Sequence, residues 1–395
     1  MKYRFPTFIL ILILSFGLSL QSSAQTSSAD ILTGADRTKE YLPLLKGKRV
    51  VLIVNQTSEI NGTLLPDTLL KLGINVVKIF SPEHGFRGNA DAGAHVKNGI
   101  DAQTGLQVIS LYGDNKKPKA EQLKDIDILV YDLQDVGARF YTYISTLQYA
   151  MEACGEQGKP IIVLDRPNPL GFIIDGPVLE KSNQSFVGMQ SIPVVYGMTA
   201  GEYAKMLIGE KRLSSKAPKL TVIPCDNYTH KSLYELPVSP SPNLKNMTAI
   251  YLYPSLCFFE GTVVSIGRGT TMPFQQFGNP MLKSYSYKFM PQSMTGATDP
   301  PLKNQDCYGK LIADNTKDAL SAIDGKIQIK WLLEAYNNYP DKEKFFNNFF
   351  IKLAGTDKLQ KQIQQGFSED EIRKGWEPDL TKFKVIRKKY LLYKE

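Results

Sequence analysis

The strongest constraint on how this chain can fold is a regular exchange of two residue patterns between positions 49 and 165. Short runs rich in Val and Ile, VVLIVN (50–55), INVVKIF (74–80), LQVISLY (106–112), DILVYDL (127–133) and PIIVLD (160–165), recur with almost no polar alternation. Strands read this way when both faces are covered. Between the runs, Leu65, Leu69 and Leu72, a short segment at 119–124, and then Ile144, Leu147, Met151 and Cys154 recur at helical spacing and supply the cover. The alternation predicts βαβ crossovers and a mostly parallel, doubly wound α/β sheet. With 395 residues, 43% of them hydrophobic, the chain has enough material for two or three domains with real cores, which excludes disorder and small disulfide scaffolds.

After Asp165 the pattern loosens. A helix is expected near 199–208, a strand at 220–224, a stiff connector at PVSPSP (237–242), a strand at 249–253 and a helix near 329–336. Ser368 and Glu371 form a capping box ahead of Ile372. A second, smaller α+β domain is expected from about residue 251 to 395, following a first domain over 25–250.

The ends and the charge balance narrow the setting. Lys2 and Arg4 precede the apolar run 8–20, and Ser22-Ser23-Ala24 offers a small-x-small cleavage site, so residues 1–24 read as an export signal and the mature protein as periplasmic or secreted. The run is too short for a comfortable membrane span. The net charge of +8 is mild for this length, and the basic run 382–389 alternates with Phe383, Val385 and Ile386, so it reads as an amphipathic helix face and no nucleic-acid partner is expected. The four cysteines, Cys154, Cys225, Cys257 and Cys307, lie far apart with no C-x-x-C pair, which favours buried thiols or one incidental bridge over zinc.

The polar residues at the strand ends suggest function. The first run ends in Asn55, the second leads to Glu83, His84 and Arg87, the fourth to Asp132, Gln134 and Asp135, and the fifth to Asp165, Arg166 and Asn168. In a parallel sheet these carboxyl ends share one edge, where open α/β folds place a ligand crevice. Arg139 and Tyr141 open a helix at the same edge. Each cluster also has a structural reading: Asp or Asn after a strand caps helices and starts turns, Glu83 has an ion-pair candidate in Arg87, and each arginine has nearby aspartates.

Several chemistries fall away. No G-x-G-x-x-G follows the first strand and there is no Walker loop, so no nucleotide cofactor is expected. No G-x-S-x-G elbow is present. His84 and His95 with Asp91 and Asp132 match no standard metal spacing, so metal independence is expected as well. Carboxylate chemistry remains. Glycosidic cleavage needs one carboxyl to protonate the leaving oxygen and a second group as nucleophile or base. Glu83 suits the first role, tuned by His84 or Arg87, and Asp132, Asp135 or Asp165 are candidates for the second.

The segments SPEHGFRG (81–88), YDLQDVGARFYTYISTL (131–147), VLDRPNPLG (163–171), IPVVYGMTAGEYA (192–204) and YPSLCFFEGTVVSIGRGTTMPFQQFGNP (253–280) resemble the DUF1343 family, which includes exo-β-N-acetylmuramidases. The resemblance runs from about residue 40 to the end. It implies a Rossmann-like catalytic domain closed by a smaller C-terminal domain, and hydrolytic release of non-reducing terminal N-acetylmuramic acid from peptidoglycan-derived saccharides. By the SPEHG match Glu83 takes the catalytic carboxyl role. His84, Asp132, Gln134, Asp135, Arg139, Tyr141, Asp165, Arg166, Asn168, Glu260 and Arg268 match positions expected to line the site. Asn89 and Ala94 stand where acidic residues are frequent in the family. Muramic acid carries a lactyl carboxylate, for which Arg139, Arg166 and Arg268 are the candidate donors. With only two Trp, a long stacking platform is not evident and a pocket for a terminal sugar fits better.

Overall fold

The computed structural model describes Met1 and residues 30–86 and 98–395. The segment read as an export signal lies outside the described residues apart from Met1, and so do Arg87, Asn89, Asp91, Ala94 and His95. From Ile31 to Glu395 the chain forms one unit.

Its first part runs α1 (Thr38–Leu45), β1 (Val50–Val54), β2 (Glu59–Ile60), β3 (Thr63–Leu64), α2 (Leu65–Lys71), β4 (Val76–Ser81), β5 (Gly99–Ile100), β6 (Gln107–Ser110), α3 (Ala120–Leu123), β7 (Ile128–Asp132), α4 (Tyr143–Glu156), β8 (Ile161–Leu164), α5 (Ala200–Gly209) and β9 (Leu220–Ile223). Seven of the strands form one sheet in the order β5-β6-β4-β1-β7-β8-β9. All its pairings are parallel except that of the short edge strand β5 with β6. Leaving β5 aside, this is the Rossmann strand order, with the reversal of direction between β1 and β7. The uninterrupted apolar runs are explained by the burial on both sides. Val51, Ile53, Leu129, Tyr131, Ile161 and Val163 point into one core, while Val50, Leu52, Val54, Val130, Ile162 and Leu164 point into the other with α1 and α2. The β1–β7 register sets Val54 opposite Asp132, so the carboxyl ends of the two central strands finish level.

The second part continues with α6 (Met247–Leu256), β10 (Gln276–Asn279), β11 (Tyr287–Phe289), β12 (Cys307–Leu311), α7 (Thr316–Ile323), α8 (Lys330–Asn338), α9 (Phe349–Ala354), α10 (Lys358–Gln364), α11 (Glu369–Lys374) and α12 (Glu377–Lys388). Its strands make a small antiparallel sheet in the order β10-β12-β11. The expected strand at 249–253 is instead part of α6. Every residue of α6 is buried, so no amphipathic stripe reveals its period, and Asn246 starts the helix by accepting the Ala249 N–H at 2.9 Å. The basic terminal run becomes α12, with Leu380 and Phe383 buried. The expected capping box is present, Ser368 with Glu371. All four cysteines are buried and free, so no bridge forms.

One large core crosses from the sheet into the second part. Phe140 packs edge-on against Tyr253 and Phe258, and Phe259 stacks on Phe277. The chain end returns to the first part. The Tyr393 hydroxyl donates to Asp165 Oδ2 at 2.6 Å and accepts the Cys225 N–H at 2.9 Å, while Leu392 N–H donates to Glu202 Oε1 at 2.8 Å. Replacing Tyr393 with Phe strands a buried N–H and removes one of the two hydroxyl donors to Asp165 Oδ2. A loss of about 1–3 kcal/mol is expected from urea denaturation, and an unchanged midpoint would show that this tail contact contributes nothing.

Candidate active site

The carboxyl edge of the sheet is where the sequence places its polar clusters, and most of that edge is sealed. Asn55 Nδ2 donates to the Tyr143 hydroxyl at 2.7 Å. Tyr141 and Tyr143 both donate to the Pro240 carbonyl, at 2.8 and 3.2 Å, and Gln56 Nε2 reaches the same oxygen at 3.2 Å. The Pro-rich connector therefore lies across the end of β1, at the point where a Rossmann sheet usually opens. Asp132 is fully buried in a two-point pair with Arg166, Nε to Oδ1 at 2.5 Å and Nη2 to Oδ2 at 2.9 Å. Burial raises the Asp132 pKa, and the Arg166 charge acts against that shift.

Asp165 accepts from Thr199 Oγ1 at 2.6 Å and from the Gly201 N–H at 2.8 Å, so it anchors the first turn of α5. Asn168 ties Met198 O and the Leu170 N–H, both at 2.8 Å. Gln134 Nε2 donates to the carbonyls of Asp135 and Pro167, at 2.8 and 2.7 Å. Asp135 accepts from Tyr196 and from the Gly137 N–H. Arg139 is fully buried and donates to four carbonyl oxygens, those of Pro177, Ile192, Leu353 and Ala354, at 2.8–2.9 Å.

These positions correct the geometry expected from strand ends alone. Asn55, Asp132, Gln134, Asp135, Arg139, Asp165, Arg166 and Asn168 are enclosed, and none of them lines the cleft that holds Glu83. Asp132 is spent on Arg166, and the four terminal N–H groups of Arg139 on main-chain carbonyls, with its Nε buried and away from the cleft. The reason is physical: charged groups at the ends of buried strands lose their hydration and must be paired within the protein.

The cleft lies to one side, over the ends of β4 and β6, with the second part of the chain as its far wall. It has a volume of about 470 Å³, within the usual range of about 300–1,000 Å³ for small-molecule sites. Of the expected residues it gathers Glu83, His84, Tyr141, Glu260 and Arg268. Glu83 follows the end of β4 by way of Pro82. The turn is tight: His84 has φ +70° and Gly85 φ +79°, and the Gly85 N–H closes on Pro82 O at 3.1 Å. A left-handed non-glycine residue in a lining position is the kind of strain that marks functional sites. Thr142, just ahead of α4, donates Oγ1 to Glu83 Oε2 at 2.8 Å, and the Tyr112 hydroxyl also hydrogen-bonds Glu83. Burial and the neighbouring Glu83 charge push the Tyr112 phenol well above its ordinary range, so it stays a donor.

On the far wall, Arg268 Nε donates to Glu260 Oε1 at 2.6 Å while its guanidinium sits 5.0 Å from the Phe274 ring centroid. Gly267 is required beside it: at φ +78° a Cβ there would lie 2.5 Å from the Gln276 amide. Tyr141, Tyr253 and Phe274 line the cleft in edge-to-face contact, with centroids 6.1 and 4.9 Å apart. A neighbouring cavity of about 640 Å³ shares Glu260, Arg268 and Phe349 with the cleft.

Thr142, Tyr112, Lys116, Lys352 and Phe274 also line the cleft, and none of them is among the polar strand-end residues singled out from the sequence. Tyr112 ends the third apolar run and so carries the same signal as the polar residues at the other four strand ends. Lys352, on α9 far along the chain, carries no local signal. Among the described residues no group of three or more His, Cys, Asp or Glu side chains could hold a metal ion.

Fold and cleft together define a two-part α/β protein, a Rossmann-ordered sheet carrying a cleft lined by charged and aromatic side chains and walled by a smaller antiparallel part. Residues 50–248 match the N-terminal model and residues 251–393 the C-terminal model of the exo-beta-N-acetylmuramidase NamZ family, and the chain belongs to that family. The peptidoglycan beta-N-acetylmuramidase NamZ of Bacillus subtilis (strain 168) is 39% identical, covering 96% of this chain and 97% of that one. A DUF1343 family crystal structure from Bacteroides fragilis NCTC 9343 is 47% identical with TM-score 0.86, over 93% of this chain and all of that one. A second, from the same organism, is 33% identical with TM-score 0.74, over 92% and 99%.

The sealed edge predicts a pH dependence of stability. Burial raises Asp135 and Asp165 to about 6 each, against the pull of the Tyr196 and Thr199 hydroxyls. A carboxyl whose pKa is higher folded than unfolded binds its proton in the native state, so its contribution is full at low pH and is lost as pH rises through about 6. The thermal midpoint is expected to rise when pH is lowered from about 7.5 to about 5.5. Asp135→Asn should flatten that rise by a share of the order of 1 kcal/mol. An identical slope in the variant would refute the assignment.

Proposed function

We propose that this chain is a glycoside hydrolase that removes N-acetylmuramic acid from the non-reducing end of peptidoglycan-derived saccharides, acting outside the cytoplasm. The location rests on the export-signal pattern of residues 1–24 alone. The activity rests on family membership and on one observation: Glu83 and Glu260 are the acidic side chains lining the cleft among the described residues. Glu83 accepts from Thr142 and hydrogen-bonds Tyr112, and Glu260 accepts from the Arg268 guanidinium.

Two acidic groups in one cleft suit the division of labour in glycosidic cleavage. Glu83 protonates the leaving oxygen as the C–O bond breaks, and Thr142 and Tyr112 hold its carboxyl at one orientation during the transfer. Glu260, with Arg268, takes the second carboxyl role in place of Asp132, balancing the positive charge that develops at the anomeric carbon until a water adds there and loses its proton to a carboxylate of the cleft. Aromatic rings of Tyr141, Tyr253 and Phe274 face the apolar side of the sugar. The cleft has the size of a small-molecule pocket, which supports action on a terminal residue.

The leaving group tests the assignment of the acid. Glu83→Gln should lower kcat for a muramyl disaccharide by about 10²–10⁴-fold, with a much smaller loss for a dinitrophenyl muramide, whose leaving group needs no proton. Glu260→Gln should lower both. Equal losses on the two substrates in the Glu83 variant would remove it from the acid role. Binding of muramyl saccharides by the wild type without any release of sugar would make the protein a non-catalytic receptor instead.

A further inference from the structure

The cations of the cleft are not the arginines expected from the sequence. Arg139 and Arg166 are enclosed, their guanidinium groups hydrogen-bonded within the protein, and Arg268 is paired with Glu260. Two other cations line the cleft, Lys116 from the loop after β6 and Lys352 from the last turn of α9. Both are half-buried, and neither forms an ion pair among the described residues. Their neighbours in sequence behave differently. Lys117 reaches Glu156 at 2.6 Å and Glu152 at 3.5 Å, and Lys358 reaches Glu180 at 2.8 Å. Lys116 instead places its ammonium 5.1 Å from the centroid of Phe186, another lining residue. Lys352 lies between Phe349 and Leu353, which also line the cleft.

Two half-buried lysines from opposite walls, neither ion-paired among the described residues, leave this part of the cleft suited to an anion. A carboxylate entering between them gains charge-assisted hydrogen bonds from both. We propose that Lys352, with Lys116 opposite it, binds the lactyl carboxylate of the terminal sugar and thereby selects N-acetylmuramic acid over N-acetylglucosamine, which lacks that group. This selection rests on the proposed muramidase activity and adds the residues that decide between the two sugars.

The experiment compares an aryl β-N-acetylmuramide with the same compound carrying its lactyl group as the neutral methylamide. The wild type should prefer the acid. In Lys352→Met, which keeps an apolar stem of similar length, the acid-to-amide ratio of kcat/KM should fall about 10- to 100-fold, with Lys116→Met falling less and Lys352→Arg restoring part of the preference. A merely structural lysine would lower both substrates and leave the ratio at its wild-type value, which would overturn the proposal while the muramidase activity stands. Calorimetry reads the same lysines without turnover: the wild type should bind N-acetylmuramic acid more tightly than N-acetylglucosamine, and Lys352→Met should lose that difference. If no muramide is cleaved but this difference is found, the reaction is refuted and the lysine assignment holds; equal affinity for the two sugars in the wild type would refute the lysine assignment.

Discussion

The pair between Asp132 and Arg166 sets the terms for the rest of the molecule. It sits at the end of β7, beside β1, where the strand order reverses and a sheet of this topology presents its crevice. A carboxylate buried there would be costly unpaired, and a guanidinium satisfies it at two points. Once that position is filled by charge pairing, the Pro240 carbonyl can close over Asn55, Tyr141 and Tyr143, and the α5 N-terminus can close over Asp165. The usual opening becomes a packed polar layer.

The site is displaced as a result. The ends of β4 and β6 remain uncovered by this layer, and it is from them that Glu83 and Tyr112 reach the cleft. The missing wall comes from the second part of the chain, whose Gly267 turn and adjoining 3-10 segment at 257–261 deliver Arg268 and Glu260. Neither part contains a complete site. The continuous aromatic core through Phe140, Tyr253 and Phe274 fixes the distance between the walls.

Much of this architecture is legible in the sequence. The parallel strands, the helices between them and the Ser368–Glu371 cap all follow from periodicity and turn chemistry, because those signals are local. Glu83 stands out for the same reason, held between a proline and two residues that must turn the chain. What local patterns do not reveal is which polar residues pair with one another. An aspartate after a strand looks the same whether it meets a substrate, as expected for Asp132 and Asp165, or an arginine, a helix N-terminus and a C-terminal tyrosine, as found. The partners are 34 to 228 residues away. α6 reads as a strand because complete burial erases the contrast between strand and helix periods. Lys352 leaves no trace in the sequence because its significance lies in having no carboxylate partner among the described residues, and that can be judged only in three dimensions.

The Arg139 guanidinium has a mechanical consequence. Two of its acceptors, Pro177 and Ile192, belong to the first part of the chain, and two, Leu353 and Ala354, sit at the end of α9 beside Lys352. Swinging the parts apart would strip a buried cation of half its acceptors, at a cost of the order of several kcal/mol. A hinge-like clamshell motion is therefore strongly disfavoured. Saccharides must enter and leave through a mouth of nearly fixed width, and whatever adjusts to them has to be the loops at its rim.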